Sequence, residues 1–338
     1  MFRVTDIKML VLLIPIWILI LDTQIATGKI IERNNLRCEN DNVEKFSSIF
    51  HVGKELICHD LTITKYDVIE RKSWKKEDDK YVVQFASVNG SFHRKLIINY
   101  PSVNTIFVYN STIRDFSLPF RKCGILLIIE SNLPIITSDF FVEASGLRHL
   151  GFYSNPDVEF EEGCFSDLRH LRNLTLFNES FPILKNNFLE GLVKLKRLAI
   201  VNSQLEKIDN DAFIYNHDLH EIILDDNPME EFVANLSILH HLRTVSLLNT
   251  KLKKLDLPIF FPVYHLHTLA LPNSVWSGIS VVRLAEAFPR LRTAVFNEEE
   301  KGNDVLNTLM DDFESSGLQI RKVKDPKEIN TFMYDIAS

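Results

Sequence analysis

Histidines are the residues of this sequence whose type and spacing most readily suggest site chemistry. Six of them recur along the second half of the chain: His217, His220, His240, His241, His265 and His267. Neighbouring imidazoles can ligate zinc or respond to pH near neutrality. No cysteine or carboxylate at matching spacing completes a zinc site, and solvated, independent histidines are the simpler interpretation. We therefore expect no metal and no cofactor.

The sequence motifs of common enzyme active sites are not found in the chain. HExxH, GxSxG, GxGxxG, the P-loop and CxxC are all missing from the sequence. Catalysis needs an acid, a base or a nucleophile that converge on one pocket, and no such set stands out. We expect a protein that is not an enzyme.

Cysteines and asparagines indicate an oxidising compartment. The chain has four cysteines, Cys38, Cys58, Cys123 and Cys164, and an even count is typical of secreted proteins. We expect a Cys38–Cys58 disulfide, with Cys123 and Cys164 as separate buried thiols or as an intermolecular contact. Five sequons predict N-glycosylation at several sites: Asn89, Asn110, Asn173, Asn178 and Asn235.

The N-terminal segment has the pattern of a secretory signal peptide. Arg3 and Lys8 precede an apolar run from Met9 to Leu21, which as a helix would cover only about 20 Å of a membrane core roughly 30 Å thick. Ala26 and Gly28 are suitably small for cleavage. We predict that residues 1–28 are removed, although an uncleaved anchor is the alternative, and that the mature chain is secreted.

Composition excludes several classes of protein. The 338 residues are 46% hydrophobic and include 24 Phe, so the chain can bury a large core. A net charge of −7 gives no global basic character for nucleic-acid binding. No later window is apolar enough to span a membrane. We expect neither a nucleic-acid partner nor a membrane span.

A repeat of about 24 residues defines the structural elements that carry these side chains. Leu171-Arg-Asn-Leu-Thr-Leu, Leu195-Lys-Arg-Leu-Ala-Ile and Leu219-His-Glu-Ile-Ile-Leu follow one pattern. The repeats start at Val103, Gly124, Leu147, Leu171, Leu195, Leu219, Leu242, Leu266 and Leu291, with degenerate copies around Val83/Phe85 and Leu318/Ile320. The pattern is that of the leucine-rich repeat, LxxLxLxxN, in the length class of extracellular members.

The repeat predicts an α/β fold, a leucine-rich-repeat solenoid of about nine to eleven turns. Each turn has one short parallel strand on the concave face, with positions 1, 4 and 6 pointing into a shared core. Irregular loops form the convex face, with helices over 281–288 and 305–313, where apolar residues have helical spacing. We predict an N-terminal cap over 29–79, the solenoid over 80–323 and a C-terminal tail over 324–338.

Two further columns of residues are expected to be structural. Position 9, where a polar side chain bonds backbone groups at the turn, is Asn132, Asn155, Asn227, Ser111, Ser203, Thr250 or Ser274, with Glu179 and Glu299 as departures. A phenylalanine lies roughly six residues before several repeats: Phe141, Phe165, Phe188, Phe213 and Phe260. These rings are expected to stack under the convex side as core filling.

The concave face offers two candidate binding features. Position 2 is a column of cations: Arg148, Arg172, Lys196, His220, Arg243, His267 and Arg292. It could bind a sulfated glycan or an acidic protein face, or it could be solvated repeat filler. Tyr109, Tyr153 and Phe177 at position 7 form an aromatic patch of the residue types enriched in binding hot spots.

Glycans would restrict access to this face. Asn110 and Asn178 occupy position 8 and Asn173 occupies position 3, beside the same wall. If occupied, they direct protein binding towards the C-terminal half, around Asp225, Asp226, Leu248 and Asn273.

The N-terminal arrangement resembles that of secreted insect leucine-rich-repeat proteins. The relevant residues are Cys38, Cys58-His-Asp-Leu-Thr-Ile and Val82-Val-Gln-Phe, followed by the repeats. The chain is similar over 30–320 to the mosquito leucine-rich immune molecules and to the Plasmodium-responsive leucine-rich-repeat proteins of Anopheles. Their Cys-rich segment and C-terminal coiled coil do not follow residue 320, so no family binding residue is transferred.

The resemblance implies extracellular innate-immune recognition. Implied partners are complement-like thioester proteins or another leucine-rich-repeat protein. The alternative is an adhesion, matrix or developmental signalling protein that binds a receptor or ligand through its concave face.

Overall fold

Each repeat of the sequence forms one turn, and the strands of successive turns pair side by side. The computed structural model describes residues 35–36, 54–64, 67–69, 81–93, 95–97, 99–100, 102–116, 122–141, 144–260, 263–297 and 304–323. The signal peptide predicted over 1–28, Cys38, Glu299 and the tail predicted over 324–338 lie outside these residues.

The described elements are mainly short strands. In chain order these are β1 (Asn35–Leu36), β2 (Lys54–His59), β3 (Thr62–Ile63), β4 (Val68–Ile69), β5 (Tyr81–Ala86), β6 (Asn89–Phe92), β7 (Val103–Tyr109), β8 (Thr112–Phe116), β9 (Ile125–Ile129), β10 (His149–Tyr153), β11 (Asn173–Phe177), β12 (Ile183–Leu184), β13 (Arg197–Val201), β14 (Lys207–Ile208), β15 (Glu221–Ile223), β16 (Thr244–Ser246), β17 (Thr268–Ala270), β18 (Thr293–Asn297) and β19 (Gln319–Val323). The helices are α1 (Asn273–Trp276), α2 (Val281–Ala287) and α3 (Asp304–Ser315), with 3-10 turns at Ser138–Phe141 and Leu257–Phe260.

One parallel sheet runs the length of the described chain. Its order is β2-β5-β7-β9-β10-β11-β13-β15-β16-β17-β18-β19, and the repeat leucines align across it. Leu174 pairs with Leu150 on one side and Leu198 on the other. Smaller parallel sheets, β3-β6-β8 and β12-β14 among them, follow the strands on the far side of the core. The predicted leucine-rich-repeat solenoid is confirmed, as are helices near 281–288 and 305–313.

The core lies between the main sheet and the convex loops. Positions 1, 4 and 6 of the central turns are fully buried, as Leu195, Leu198 and Ile200 illustrate. A single turn has no second layer to cover this apolar face, so stacking supplies the burial that stabilises each strand. No helix within the described ranges is long and apolar enough to cross a membrane.

One repeat starts a residue earlier than the sequence analysis predicts. Leu126 pairs with both Ile106 and Leu150, which makes Cys123, and not Gly124, position 1 of its turn. Ser131 therefore occupies position 9 and is completely buried, whereas Asn132 is exposed. The prediction of Asn132 as a turn-bonding residue is wrong.

The sheet also extends into the segment predicted as the N-terminal cap. Strand β2 pairs in parallel with β5, so Leu56 aligns with Val83 and Cys58 with Phe85. Leu56 and Cys58 are fully buried at positions 4 and 6 of a further turn. The stack of strands therefore begins before residue 80.

Position 9 forms a hydrogen-bond ladder through the N-terminal and central turns. The side chain of each turn accepts a backbone N–H from the preceding turn: Val88 donates to Ser111, Ser111 to Ser131, Ser131 to Asn155, Asn155 to Glu179, Glu179 to Ser203 and Ser203 to Asn227. Glu179 is a member of this ladder, which corrects its prediction as a departure. The ladder satisfies donors that would otherwise be buried without partners.

Phenylalanine rings fill the space behind the sheet, as predicted. Phe165 lies 5.6 Å from Phe141 and 5.2 Å from Phe188, measured between ring centroids. A second run joins Phe232, Phe260 and Phe288 at 6.3 and 5.2 Å. All five predicted rings, Phe141, Phe165, Phe188, Phe213 and Phe260, are buried, which identifies them as core.

Cys123 and Cys164 are free and buried, so the expectation that they do not pair with each other is confirmed. Burial raises the pKa of each thiol to about 12. Cys58 is buried on β2, and its predicted partner Cys38 is not among the described residues. The Cys38–Cys58 pair stays a prediction.

Candidate functional site

The cations at position 2 lie in one line across the strand entrances. Backbone hydrogen bonds of 2.8–2.9 Å join each to its predecessor from Arg172 onwards: Arg172 to Arg148, Lys196 to Arg172, His220 to Lys196, Arg243 to His220, His267 to Arg243 and Arg292 to His267. Neighbouring members are thus one strand spacing apart, about 4.8 Å. Their side chains are half-buried or exposed. The predicted column exists as a continuous feature.

Two of the predicted aromatic residues meet on the concave face. The rings of Tyr153 and Phe177 lie 6.3 Å apart, on adjacent strands. Ala199, Val201 and Ile223 extend this contact over the next two strands. We call Tyr153, Phe177, Ala199, Val201 and Ile223 the apolar strip. It lies on the opposite side of the sheet from the core, so these side chains form a cluster of their own.

Tyr109 is not part of this strip. It lies at the end of β7, two strands before Tyr153, with Ile129 at the same position of the intervening strand. The predicted three-residue aromatic patch is therefore a pair, and the apolar surface continues towards the C-terminus instead.

Polar groups hold the strip in place. Burial raises the pKa of Tyr153 above its usual value, and the neighbouring Thr175 side chain opposes the shift. Arg197, 7% exposed, forms an ion pair with Glu221, with Nε and Oε2 3.3 Å apart. Position 3 of β13 and β15 thus places a nearly buried cation beside the apolar residues. Tyrosine and arginine next to aliphatic side chains are typical of binding hot spots.

Asp225 is placed differently from its prediction. It is completely buried, and its Oδ1 accepts hydrogen bonds from Ser246 Oγ at 2.6 Å and from the Leu248 amide at 2.8 Å. Burial raises the pKa of Asp225 to about 7, against the effect of these hydrogen bonds. Asp225 is thus internal to the concave wall and not an exposed contact, since it bridges β15 to the following turn.

The neighbourhood of Asp225 is also more buried than predicted. Leu248 is fully buried in a second concave cluster with Ala270, Val295 and Val323. Asp226 is half-buried, and its Oδ1 accepts the Asn249 side-chain amide at 2.9 Å. Asn273 is half-buried and donates to the Asn297 carbonyl at 2.9 Å. Of this predicted region, Asp226 and Asn273 retain accessible surface.

Position 8 forms a second polar ladder where the strands end. Its residues have positive φ, for example 45° at Asn110, 55° at Asn178 and 49° at Asn202, a conformation that asparagine tolerates well. Asn202 donates to Asn178 Oδ1 at 3.0 Å, and Asn178 donates to Ser154 Oγ at 3.0 Å. The sequon amides of Asn178 and Asn110 are both engaged within the ladder, since Asn110 donates to Ser87 Oγ at 3.2 Å; Asn110 is exposed and Asn178 is half-buried.

The other sequons differ in exposure. Asn89 is exposed, and Asn173 is half-buried at position 3 beside Arg172. Asn235 is half-buried outside the strands, and its side chain accepts the Ser237 amide at 3.0 Å. Only Asn173 is placed so that a glycan would stand at the position 2 column.

The structure brings some of the histidines together. The rings of His220 and His241 stack at 5.7 Å, and Nη1 of Arg290 lies 2.7 Å from Nδ1 of His265. The pKa of His267 is lowered by partial burial and by the charges of Arg292, Arg243, Arg290 and His265. Across the described ranges, no three His, Cys, Asp or Glu side chains form a group that could hold a metal ion.

Sequence reasoning missed the aliphatic half of the apolar strip. Ala199 and Ile223 occupy position 5, and Val201 occupies position 7, all pointing away from the core. The sequence signal that could have revealed the strip was the presence of apolar residues at concave positions 5 and 7 of consecutive repeats. Arg197 was missed because position 3 is usually solvated, and its burial depends on the neighbouring strand.

Comparisons with known proteins support the fold. A chain in the octameric complex of latrophilin 3, Unc5D and the leucine-rich-repeat part of FLRT2 is similar to 71% of this chain and 83% of its own length, with 18% identity and a TM-score of 0.52. No protein-family model matches the sequence, and no curated protein matches it either.

Two more distant solved structures also match. An internalin from Listeria monocytogenes covers 82% of this chain and 88% of its own, with 15% identity and a TM-score of 0.42. A chain of the Drosophila Toll–Spätzle complex covers 63% of this chain and 43% of its own, with 13% identity and a TM-score of 0.28. The structural likeness that supports the leucine-rich-repeat fold is the first of the three.

Proposed function

We propose that this chain is a secreted, non-enzymatic recognition protein of innate immunity that binds another extracellular protein through the apolar strip. The observation behind the proposal is the cluster of Tyr153, Phe177, Ala199, Val201 and Ile223 on the concave face, outside the core. Tyr153 is half-buried, whereas Phe177, Ala199, Val201 and Ile223 are buried beneath neighbouring side chains. A partner would therefore meet the strip chiefly through the Tyr153 ring and the edge of Phe177, supported from below by the aliphatic members.

The chemistry of the strip suggests the kind of partner. An aromatic pair, aliphatic neighbours and the adjoining Arg197–Glu221 ion pair suit a protein that inserts apolar side chains and meets a polar rim. The resemblance to insect leucine-rich immune proteins suggests a complement-like protein or a second leucine-rich-repeat protein. In its solved structure, the FLRT2 leucine-rich-repeat part likewise stands in a complex with other proteins.

Secretion is part of the same proposal. The signal-peptide pattern over 1–28, the five sequons and the Cys38–Cys58 pair all suit an extracellular protein. Since Cys123 and Cys164 are free, Cys38 remains the available partner for Cys58. Expression in insect cells followed by peptide mapping should find a mature start near residue 29. A mature chain that retains Met1 would contradict secretion by this route.

Binding is tested with purified mature protein and extracellular fluid from infected animals. The double variant Tyr153→Ala/Phe177→Ala is compared with Ile183→Ala/Ile214→Ala. This control also truncates two large apolar side chains, at exposed positions outside the strip. Thermal melts confirm that both variants are folded at the assay temperature. We expect the partner retained by the wild type and by the control to bind the strip variant at least about tenfold more weakly.

Two results would overturn the proposal. If the strip variant binds as well as the wild type, the strip is not the interface. If the captured partners are matrix or receptor proteins and their capture does not depend on infection, the immune role is wrong.

A further inference from the structure

We propose that the concave edge of the C-terminal half binds a linear sulfated polysaccharide. The surface consists of His220, His241, Arg243, His265, His267, Arg290 and Arg292, here called the basic ridge. It is separate from the apolar strip, so the inference goes beyond the protein partner proposed above.

The ridge is regular because the backbone makes it so. The amide of Arg243 donates to the carbonyl of His220 at 2.8 Å, that of His267 to Arg243 at 2.8 Å and that of Arg292 to His267 at 2.9 Å. His241 and His265 lie just before the strand entrances, one position before Leu242 and Leu266. Basic side chains therefore recur once per strand, at about 4.8 Å intervals along a line.

Positive charge on the ridge is not neutralised within the described chain. The ion pairs found at this edge, Lys194–Asp218 at 3.4 Å and Arg197–Glu221 at 3.3 Å, both precede the ridge. The described residues provide no ion pair with an acid for Arg243, Arg290 or Arg292. Asp218 and Glu221, which flank His220, are already paired with Lys194 and Arg197, so the arginines that follow create a positive potential that attracts anions.

Contacts inside the ridge are made between basic residues. Arg290 donates from Nη1 to Nδ1 of His265 at 2.7 Å, so a guanidinium uses an imidazole, not a carboxylate, as its acceptor. His220 stacks on His241 with ring planes 12° apart. Burial lowers the pKa of His267, and the charges of Arg292, Arg243 and Arg290 lower it further. A bound polyanion would offset the positive charge of Arg243, Arg290 and Arg292.

The composition and linear arrangement of the ridge favour a polysaccharide over a protein. Arg243, Arg290 and Arg292 are exposed, and the ridge members are all basic, with no apolar residue among them to anchor a folded partner. Guanidinium groups form paired hydrogen bonds with the oxygens of sulfate-like anions. A linear sulfated chain repeats its charge along one direction, as the ridge does.

The sequons leave this part of the edge open. Asn173 lies beside Arg172, three strands before Arg243. A glycan there would obstruct the N-terminal cations of the column. None of the five sequons lies among the ridge residues. The ligand is therefore expected to contact the C-terminal half.

Heparin oligosaccharides of defined length provide the probe, measured by calorimetry with the mature protein at fixed salt. The ridge variant Arg243→Ser/Arg292→Ser is compared with Arg169→Ser/Lys207→Ser, which removes the same charge from exposed positions outside the ridge. We expect at least tenfold weaker binding for the ridge variant, less than threefold change for the control, and little binding of polyglutamate to any form.

The possible results are decisive. If both variants weaken heparin binding equally, binding responds to net charge alone, and the assignment of the site to the ridge is wrong. If polyglutamate binds as tightly as heparin, the ligand is better explained as an acidic protein, and the proposal of a sulfated polysaccharide is wrong. The strip variant Tyr153→Ala/Phe177→Ala should bind heparin like the wild type, so failure of the proposed protein interaction leaves this test unaffected.

Discussion

Oε1 of Glu179 lies 2.9 Å from Nδ2 and 3.1 Å from the backbone nitrogen of Asn155. One carboxyl oxygen therefore satisfies two donors of the preceding turn. The second oxygen, Oε2, is buried and has no partner among the described residues. Burial raises the pKa of Glu179 to about 8, with the Asn155 hydrogen bonds opposing the shift. The carboxyl group is mostly protonated at neutral pH.

The fold should lose stability as the pH rises from 5 to 8. The pKa of Glu179 is about 8 in the folded chain and 4.5 in its usual state, so folding favours the protonated carboxyl group. The stabilisation from Glu179 is therefore complete below pH 4.5 and is lost as the pH rises towards 8. Asp225, with a pKa raised to about 7, acts in the same direction. Thermal and urea unfolding should show a loss on the order of a few kcal/mol over this range.

Substitution at Glu179 separates its share of this dependence. Glu179→Gln keeps the acceptor oxygen and removes the titration, so its stability should fall less steeply between pH 5 and 8. Asp225→Asn should flatten the remaining slope. A pH profile unchanged in both variants would show that neither acid is held protonated in the fold.

Asn227→Ala should strongly destabilise the solenoid. The Asn227 carboxamide accepts the amides of Ser203 and Leu205 and donates to the carbonyls of Ile200 and Leu224. Removing it leaves these buried groups without partners, at a cost of about 3–5 kcal/mol. The loss is measured by urea unfolding.

Asn132→Ala is the matched control for this measurement. Asn132 is exposed, because its turn starts at Cys123, so the change should stay within about 0.5 kcal/mol of the wild type. Comparable losses for the two variants would show that the register assigned to this turn is wrong.

Thiol reactivity checks the cysteine assignments. Burial raises the pKa of Cys123 and Cys164 to about 12, so neither should react with an alkylating reagent in the native protein at pH 8. Unfolding without reductant should expose two thiols, and reduction should raise the count to four if Cys38 and Cys58 are paired. Four thiols before reduction would disprove that pair.

The repeat was predictable where apolar and polar positions differ clearly. From Leu147 to Leu291 the predicted starts agree with the strand register. The error at Gly124 arose because every residue from Ile125 to Ile129 is apolar, so periodicity could not distinguish the core side from the concave side. Cross-strand pairing with Ile106 and Leu150 decided it.

The concave surface was less predictable than the core. Alternation indicates which residues leave the core but not how deeply their neighbours cover them. Asp225 and Leu248 both point away from the core, yet both are fully buried by the adjoining turns. The position 2 column was predictable because its exposure needs only the strand register.

Asp225 also marks a change in how the turns are joined. In the turns before Asp225, the position 9 side chain of each turn accepts a hydrogen bond from a backbone N–H of the preceding turn, and Asn227 is the last residue to do so. At the next junction Thr250 bonds within its own turn, to Leu247, and the connection passes through Asp225 to Ser246 and Leu248. In a stack whose cooperativity depends on nearest neighbours, this junction is where mild alkali would first weaken the array. The shared core and the backbone bonds from Leu224 to Ser246 and from Asp226 to Leu248 also cross this junction, so ionisation of Asp225 would loosen the two halves at this point and not part them.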